Sequence, residues 1–217
     1  MPILIFFLSV MTSCMMTRND EPFIPKEYQF PEDSLLTGKT FVYGKEGTND
    51  KSFTDLKVNV IGSKRYLVSR QYSSDKVFDS SLAVNDKTKE IYSFSFDDGK
   101  PLKGLIVQDT ILKNGTKLGL RTKRTVFKAS DFVSDNISKL EYLKDTLFTW
   151  KNKKIDCIVM RATSTTQLIS SSDSSARQEL TSYHNLYYGK NLGLLKYTTS
   201  FKDEHYSFIL EEIHDMK

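Results

Sequence analysis

The chain is poor in cysteine, tryptophan and histidine, and it lacks any long apolar run. Its 217 residues hold 2 cysteines, 1 tryptophan, 3 histidines and 5 prolines. Two cysteines, Cys14 and Cys157, exclude a disulfide framework or a Cys-rich zinc module. No run approaches the ~20 apolar residues of a membrane-spanning helix. His184, His205 and His214 form neither a His-x-His nor a His-Glu-x-x-His spacing, so no metal site is expected and all three read as exposed strand or turn residues. A Gly-x-Ser-x-Gly elbow is missing, and so is a Gly-rich phosphate loop. The acidic pairs Asp97-Asp98, Asp203-Glu204 and Glu211-Glu212 are sequence neighbours. On a strand such neighbours point to opposite faces and cannot flank one glycosidic bond. No catalytic constellation and no cofactor site is expected; the chain does not read as an enzyme.

Charge is mild. Lys and Arg number 31 against 27 Asp and Glu, a formal net charge of +4. Both signs are scattered, and the Lys151, Lys153, Lys154 cluster reads as a solvated turn, so no nucleic-acid partner is expected. What the chain does have begins at its amino end. A short apolar run from Pro2 to Met11 closes on Thr12, Ser13 and Cys14. Small residues before the Cys suit a signal peptidase, and the run is a signal h-region in length, though no Lys or Arg precedes it. The pattern resembles the lipobox of bacterial lipoproteins. That resemblance implies residues 1–13 as signal peptide, acylation of Cys14, and a membrane partner reached through its acyl chains. Residues 14–33 follow as a Pro-rich tether, expected to be extended and poorly ordered. The β-domain is expected over 34–217.

From about Leu35 the apolar period is two. Leu56 to Val60, Arg65 to Tyr72, Tyr92 to Phe96, Lys117 to Lys128 and Thr146 to Trp150 alternate or are rich in β-branched and aromatic residues. Short turn segments at Asn85–Thr88, Asp97–Lys100, Asn114-Gly115 and Lys151–Lys154 separate them, which favours antiparallel neighbours. One helix is expected between Ser130 and Leu143, where Phe132, Ile137, Leu140 and Leu143 give a partial stripe; an irregular crossover is the alternative. The serine-rich stretch Ser170 to Ser175 reads as a loop between two long strands. Cys157, inside the apolar segment Ile155 to Met160, reads as a small buried hydrophobe. Tyr92, Phe94 and Phe96 share one face under strict alternation. They read either as packed core or as the lining of a groove for an apolar ligand.

The segment Tyr183 to Tyr197, followed by Phe208 to Glu211, resembles the closing hairpins of Bacteroidota-type envelope lipoproteins. Thr40 to Tyr43 resembles their opening strand and Thr149 to Met160 their penultimate hairpin. These proteins are similar in architecture to the lipoprotein carriers LolA and LolB. The resemblance implies a mainly β fold, a curved antiparallel sheet forming an open half-barrel with little helix. It also implies a lipid-anchored cell-envelope protein, on the periplasmic or surface face of the outer membrane. Its expected role is non-catalytic binding or scaffolding, with a lipid or other apolar ligand as one partner. Docking on another envelope protein through an edge strand is the alternative.

Overall fold

The computed structural model describes residues 24–61, 64–72, 78–85, 90–94, 101–114, 117–128, 132–170, 172–173, 177–201 and 204–216. The signal segment, Cys14, the tether up to Phe23, Phe96 and the turn Asp97–Lys100 lie outside these residues. Among them run twelve strands: β1 (Lys39–Lys45), β2 (Lys51–Ile61), β3 (Lys64–Tyr72), β4 (Phe78–Asn85), β5 (Glu90–Phe94), β6 (Pro101–Asn114), β7 (Lys117–Lys128), β8 (Phe132–Trp150), β9 (Lys153–Ser170), β10 (Arg177–Gly189), β11 (Gly193–Phe201) and β12 (Glu204–Asp215). Among the described residues, helix is limited to two short 3₁₀ turns, Lys26–Tyr28 and Glu32–Leu35. The mainly β, antiparallel, helix-poor class expected from the sequence is therefore what the chain adopts.

Each strand pairs antiparallel with its chain neighbours, as short connections demand. The Trp150–Lys153 pair is closed by Lys151 and Asn152, both left-handed at φ 48° and 63°. Two successive positive φ values match the right-handed twist of the flanking strands in a two-residue hairpin. The ends of the sheet differ from the open half-barrel expected. β1 pairs with β2 on one side and with β12 on the other, Lys39 to Lys45 against Asp215 to Phe208, so the ladder runs back to its start. Closure gives the backbone groups of β1 and β12 partners that an open edge would leave to solvent.

Two further expectations need correction. The stretch Ser130 to Leu143 is not a helix; from Phe132 onward it belongs to β8. Its inward positions are Ser134, Asn136, Ser138 and Leu140, all buried, a period of two made mostly of polar residues that the sparse helical stripe had masked. The tether also ends sooner than Asp33. From Ile24 the chain packs onto the barrel, with Ile24 and Leu35 buried in the main core. Phe30 meets Phe41 edge-on at 5.1 Å, and Asn191 N–H donates to the Glu27 carbonyl at 2.6 Å. Gly193 (φ 73°) is what lets this segment close in: a Cβ there would lie 3.3 Å from the Phe30 backbone nitrogen.

The core joins Phe41, Tyr43, Leu56, Val58, Leu67, Met160, Leu186, Leu195, Tyr197 and Leu210. Tyr43 crosses the interior, its hydroxyl donating to the Leu194 carbonyl at 3.1 Å. In β9 four consecutive residues, Cys157 to Met160, are buried, so this strand is covered on both faces. Cys157 is thus a core thiol, as its surroundings suggested. Burial pushes its pKa up to about 11, which keeps the inert thiol form at neutral pH. Native protein should resist iodoacetamide, and unfolding in urea should expose Cys157 to it; rapid labelling of the folded protein would contradict this placement.

Candidate functional site

A layer of buried polar side chains lies inside the barrel, and a groove lies on its outer face. The inward rows change character along the strands. Next to the apolar core lie buried Thr54, Ser69 and Gln71 on β2 and β3, with Arg121, Lys123 and Thr125 on β7. Ser134, Asn136 and Ser138 continue the layer on β8, and Ser164, Thr166, Ser182, His184 and Thr199 complete it on β9 to β11. Register places these residues side by side. Asn136 pairs with Thr125 and Thr166, Ser164 pairs with Ser138 and Ser182, and His184 pairs with Thr199.

Hydrogen bonds knit part of the layer. Asn136 Nδ2 donates to Ser164 Oγ (2.9 Å) and Thr166 Oγ1 (2.7 Å). His184 sits between Thr199 Oγ1 (2.9 Å from Nδ1) and Ser182 Oγ (3.2 Å from Nε2). Burial away from water lowers its pKa to about 3, so the ring is neutral at ordinary pH. The expectation that all three histidines are exposed holds for His205 and His214 and fails for His184. Alternation would have placed His184 on a face, but nothing in the local sequence marked that face as the dry one.

The outer face carries a groove of about 600 Å³ running across β12, β1, β2 and β3. Register again builds it: Val42 pairs with Phe53 and with Glu212, Phe53 with Tyr72, and Thr40 with Asp55 and with His214. Val42, Phe53 and Tyr72 form an apolar floor, and Val42 is buried although it points opposite to Phe41 and Tyr43. Charges around it are paired. Asp55 accepts from Thr40 Oγ1 at 2.6 Å, His214 lies 2.7 Å from Glu212, and Lys51 lies 2.8 Å from Glu211. Burial and the Asp55 carboxylate raise the pKa of Tyr72, so its phenol stays protonated as a donor.

Among the described residues, the outward rows of β7 to β9 are rich in charge. Arg124 pairs with Asp135 across β7 and β8, and Lys139, Glu141 and Arg161 are exposed nearby. Outward charges cost about 2–4 kcal/mol for each Arg or Lys at a bilayer midplane, so these rows do not make the apolar belt of a membrane barrel.

Of the sequence-derived candidates, Tyr92 and Phe94 lie in β5, in register with Ala83 and Lys103 and with Ser81 and Pro101. Phe96 and Cys14 lie outside the described residues. The structure adds Phe53, Tyr72, Val42 and Asp55 to the candidates. Alternation over Leu56 to Val60 in β2 was legible, but the pairing that brings Val42, Tyr72 and His214 beside this strand was not. Among the described residues no group of three or more His, Cys, Asp or Glu is placed to hold a metal ion.

No protein-family model and no curated protein matches this chain. Two solved structures resemble it. One is a candidate lipoprotein of Parabacteroides distasonis, with 13% identity and a TM-score of 0.48 over 85% of this chain and 97% of the other. The second is a candidate exported protein with a YmcC-like fold from Bacteroides fragilis, with 10% identity and a TM-score of 0.47 over 86% and 98%.

Proposed function

We propose that this chain is an exported, lipid-anchored lipoprotein of the bacterial envelope, held to the outer membrane by acyl chains on Cys14. Its β-domain is a non-catalytic binding module for a lipid or other apolar ligand. The observation that carries the binding role is the outer groove, whose floor of Val42, Phe53 and Tyr72 is apolar while its rim is charged. An acyl chain on that floor with its polar end at the rim satisfies both parts. The groups that could do acid–base chemistry there, Asp55, Glu212 and His214, are engaged with one another or with Thr40. Anchoring is supported by the apolar run ending at Thr12-Ser13-Cys14, and by the burial of Cys157, the other thiol, in the core. Docking through a free edge strand loses support because β1 and β12 pair with each other.

One experiment reads both halves. Cells fed an alkyne fatty acid should label the wild type and not Cys14→Ala, since stable anchoring takes more than one acyl chain. Lipid that co-purifies with the wild type, read by native mass spectrometry, should be lost in Phe53→Asp while labelling at Cys14 persists. Equal labelling of the wild type and Cys14→Ala would remove the anchor. Equal lipid content in the wild type and Phe53→Asp would remove the groove.

A further inference from the structure

We propose that the β8–β9 hairpin is a second, electrostatic membrane contact, which holds one end of the barrel against a bilayer surface rich in anionic lipid. The inference rests on the acyl anchor at Cys14 proposed above, and adds the face of the domain that meets the membrane and the lipid class it selects. Its starting point is the pairing at that end of the sheet. β8 pairs with β7 as far as Glu141, and β9 pairs with β10 from Cys157 onward. Residues 144–150 and 153–156 therefore run on as a two-stranded hairpin beyond both neighbours. Phe148 and Trp150 pack against the core, and Trp150 Nε1 donates to the Leu210 carbonyl on β12, so the hairpin is fixed at the barrel end.

The exposed part of the hairpin is basic. Lys151, Lys153 and Lys154 crowd its turn, all exposed, and Lys151 Nζ stands 5.0 Å from the centre of the Trp150 ring. Unlike Lys39, Lys51 and Lys196, these three have no carboxylate at ion-pair distance among the described residues. The acidic groups stand back from the apex. Asp156 is level with Leu147, three pairs behind Trp150 and Lys153, which is roughly 10 Å along a strand. That is about one Debye length at physiological salt, so a surface that touches the apex meets the lysines first. Exposed Lys190, in the β10–β11 turn, lies beside Asp156, its backbone N–H bound to the Asp156 carbonyl at 3.0 Å. Asp145 has Lys144 next to it in the sequence, and Glu27 has Lys26. Glu32 is paired with Arg65 and Asp215 with Lys39. Asp33 sits on the Glu32–Leu35 turn, which packs beside β2 and not beside this hairpin.

The point at which the chain enters makes the partner a bilayer rather than a soluble polyanion. Asn191 N–H, next to Lys190, donates to the Glu27 carbonyl at 2.6 Å. The path back to Cys14 thus starts beside the lysine-bearing turns, and an acyl chain on Cys14 brings a membrane to this end of the barrel. Each lysine close to an anionic bilayer strengthens binding by roughly 5-fold. An acyl chain combined with a basic patch is one of the pairings that make anchoring stable.

Trp150, the single tryptophan of the chain, reports the contact from within the hairpin. Full-length protein is mixed with vesicles of phosphatidylglycerol and phosphatidylcholine, part of the latter carrying a nitroxide on its headgroup. Quenching is read as the ratio of Trp150 fluorescence without and with the nitroxide. It should be stronger by about 2-fold or more on these anionic vesicles than on neutral phosphatidylcholine vesicles. Salt at about 1 M should remove the excess. The triple variant Lys153→Gln, Lys154→Gln, Lys190→Gln should lose the excess too. Lys57→Gln, Lys139→Gln, Arg161→Gln, an equal loss of charge from exposed wall positions, should keep it. Flotation with neutral vesicles reads the Cys14 anchor separately: a chain that fails to float there would remove the anchor, and quenching on anionic vesicles would still decide the hairpin. Equal quenching on the two kinds of vesicle would overturn the proposal. A wall variant that loses as much quenching as the hairpin variant would overturn it equally, because net charge alone would then account for the attraction.

Discussion

Taking the protein from pH 7 to pH 4 should lower its stability by about 3 kcal/mol through His184 alone. The ring titrates near 6.5 when the chain is unfolded and near 3 in the folded barrel, because burial disfavours the imidazolium. Below pH 6.5 the unfolded chain therefore takes up a proton that the native state refuses. Stability is undiminished above that value and falls by about 1.4 kcal/mol per pH unit as pH drops toward 3. Urea midpoints measured from pH 7 to pH 4 would show this slope. Carboxylates also titrate in this range, so the decisive quantity is the difference from His184→Gln. The substituted amide would keep hydrogen-bonding groups for Ser182 and Thr199 without a titrating one, and the variant should lose less stability by about 3 kcal/mol at pH 4. Parallel pH profiles for the two proteins would place His184 in contact with water.

The same residue marks where the sequence stops being legible. A period of two shows that a strand has two faces, but it does not say which face is dry. The usual rule, apolar side in, works for β2, where Leu56 and Val58 are buried and Lys57 is exposed. It fails for β8, where Asn136 is 1% exposed and Ile137 is 41% exposed. There the face is decided by partners far along the chain. Thr125 on β7 and Thr166 on β9 lie level with Asn136, and the three share a buried polar layer. A reader of the local sequence sees Phe132, Ile137 and Leu140 and finds a helix.

The candidate sites show the same division. Strand positions and turns follow from local chemistry, and β7 runs over the Lys117–Lys128 stretch that its β-branched and aromatic residues marked. The outer groove, by contrast, needs Val42, Phe53, Tyr72 and His214, which come from four strands spread over most of the chain. Ring closure brings His214 on β12 beside Thr40 on β1, and no spacing rule encodes that meeting. Pairing between the first and last strands is a contact of high sequence separation, decided only when the whole sheet assembles.

Removing the packed side chains of the amino-terminal segment should destabilise the β-domain as strongly as a core truncation. Ile24→Ala and Leu35→Ala should each cost about 2–5 kcal/mol, the range for deleting a buried aliphatic side chain. Pro25 and Pro31 fix the backbone just before each 3₁₀ turn, and the turns aim Ile24, Phe30 and Leu35 at the barrel. Gln29 Nε2 returns a hydrogen bond to the Ile24 carbonyl, and Glu32 forms an ion pair with Arg65 on β3 at 2.6 Å. The ion pair is exposed and contributes at most about 1 kcal/mol, so Glu32→Gln should be nearly silent. Burial, not charge, then holds this segment down. Urea denaturation of the three variants separates the possibilities, because a free tether predicts that all three midpoints equal the wild type. Large shifts for Ile24→Ala and Leu35→Ala beside a small one for Glu32→Gln would make the segment a structural part of the barrel.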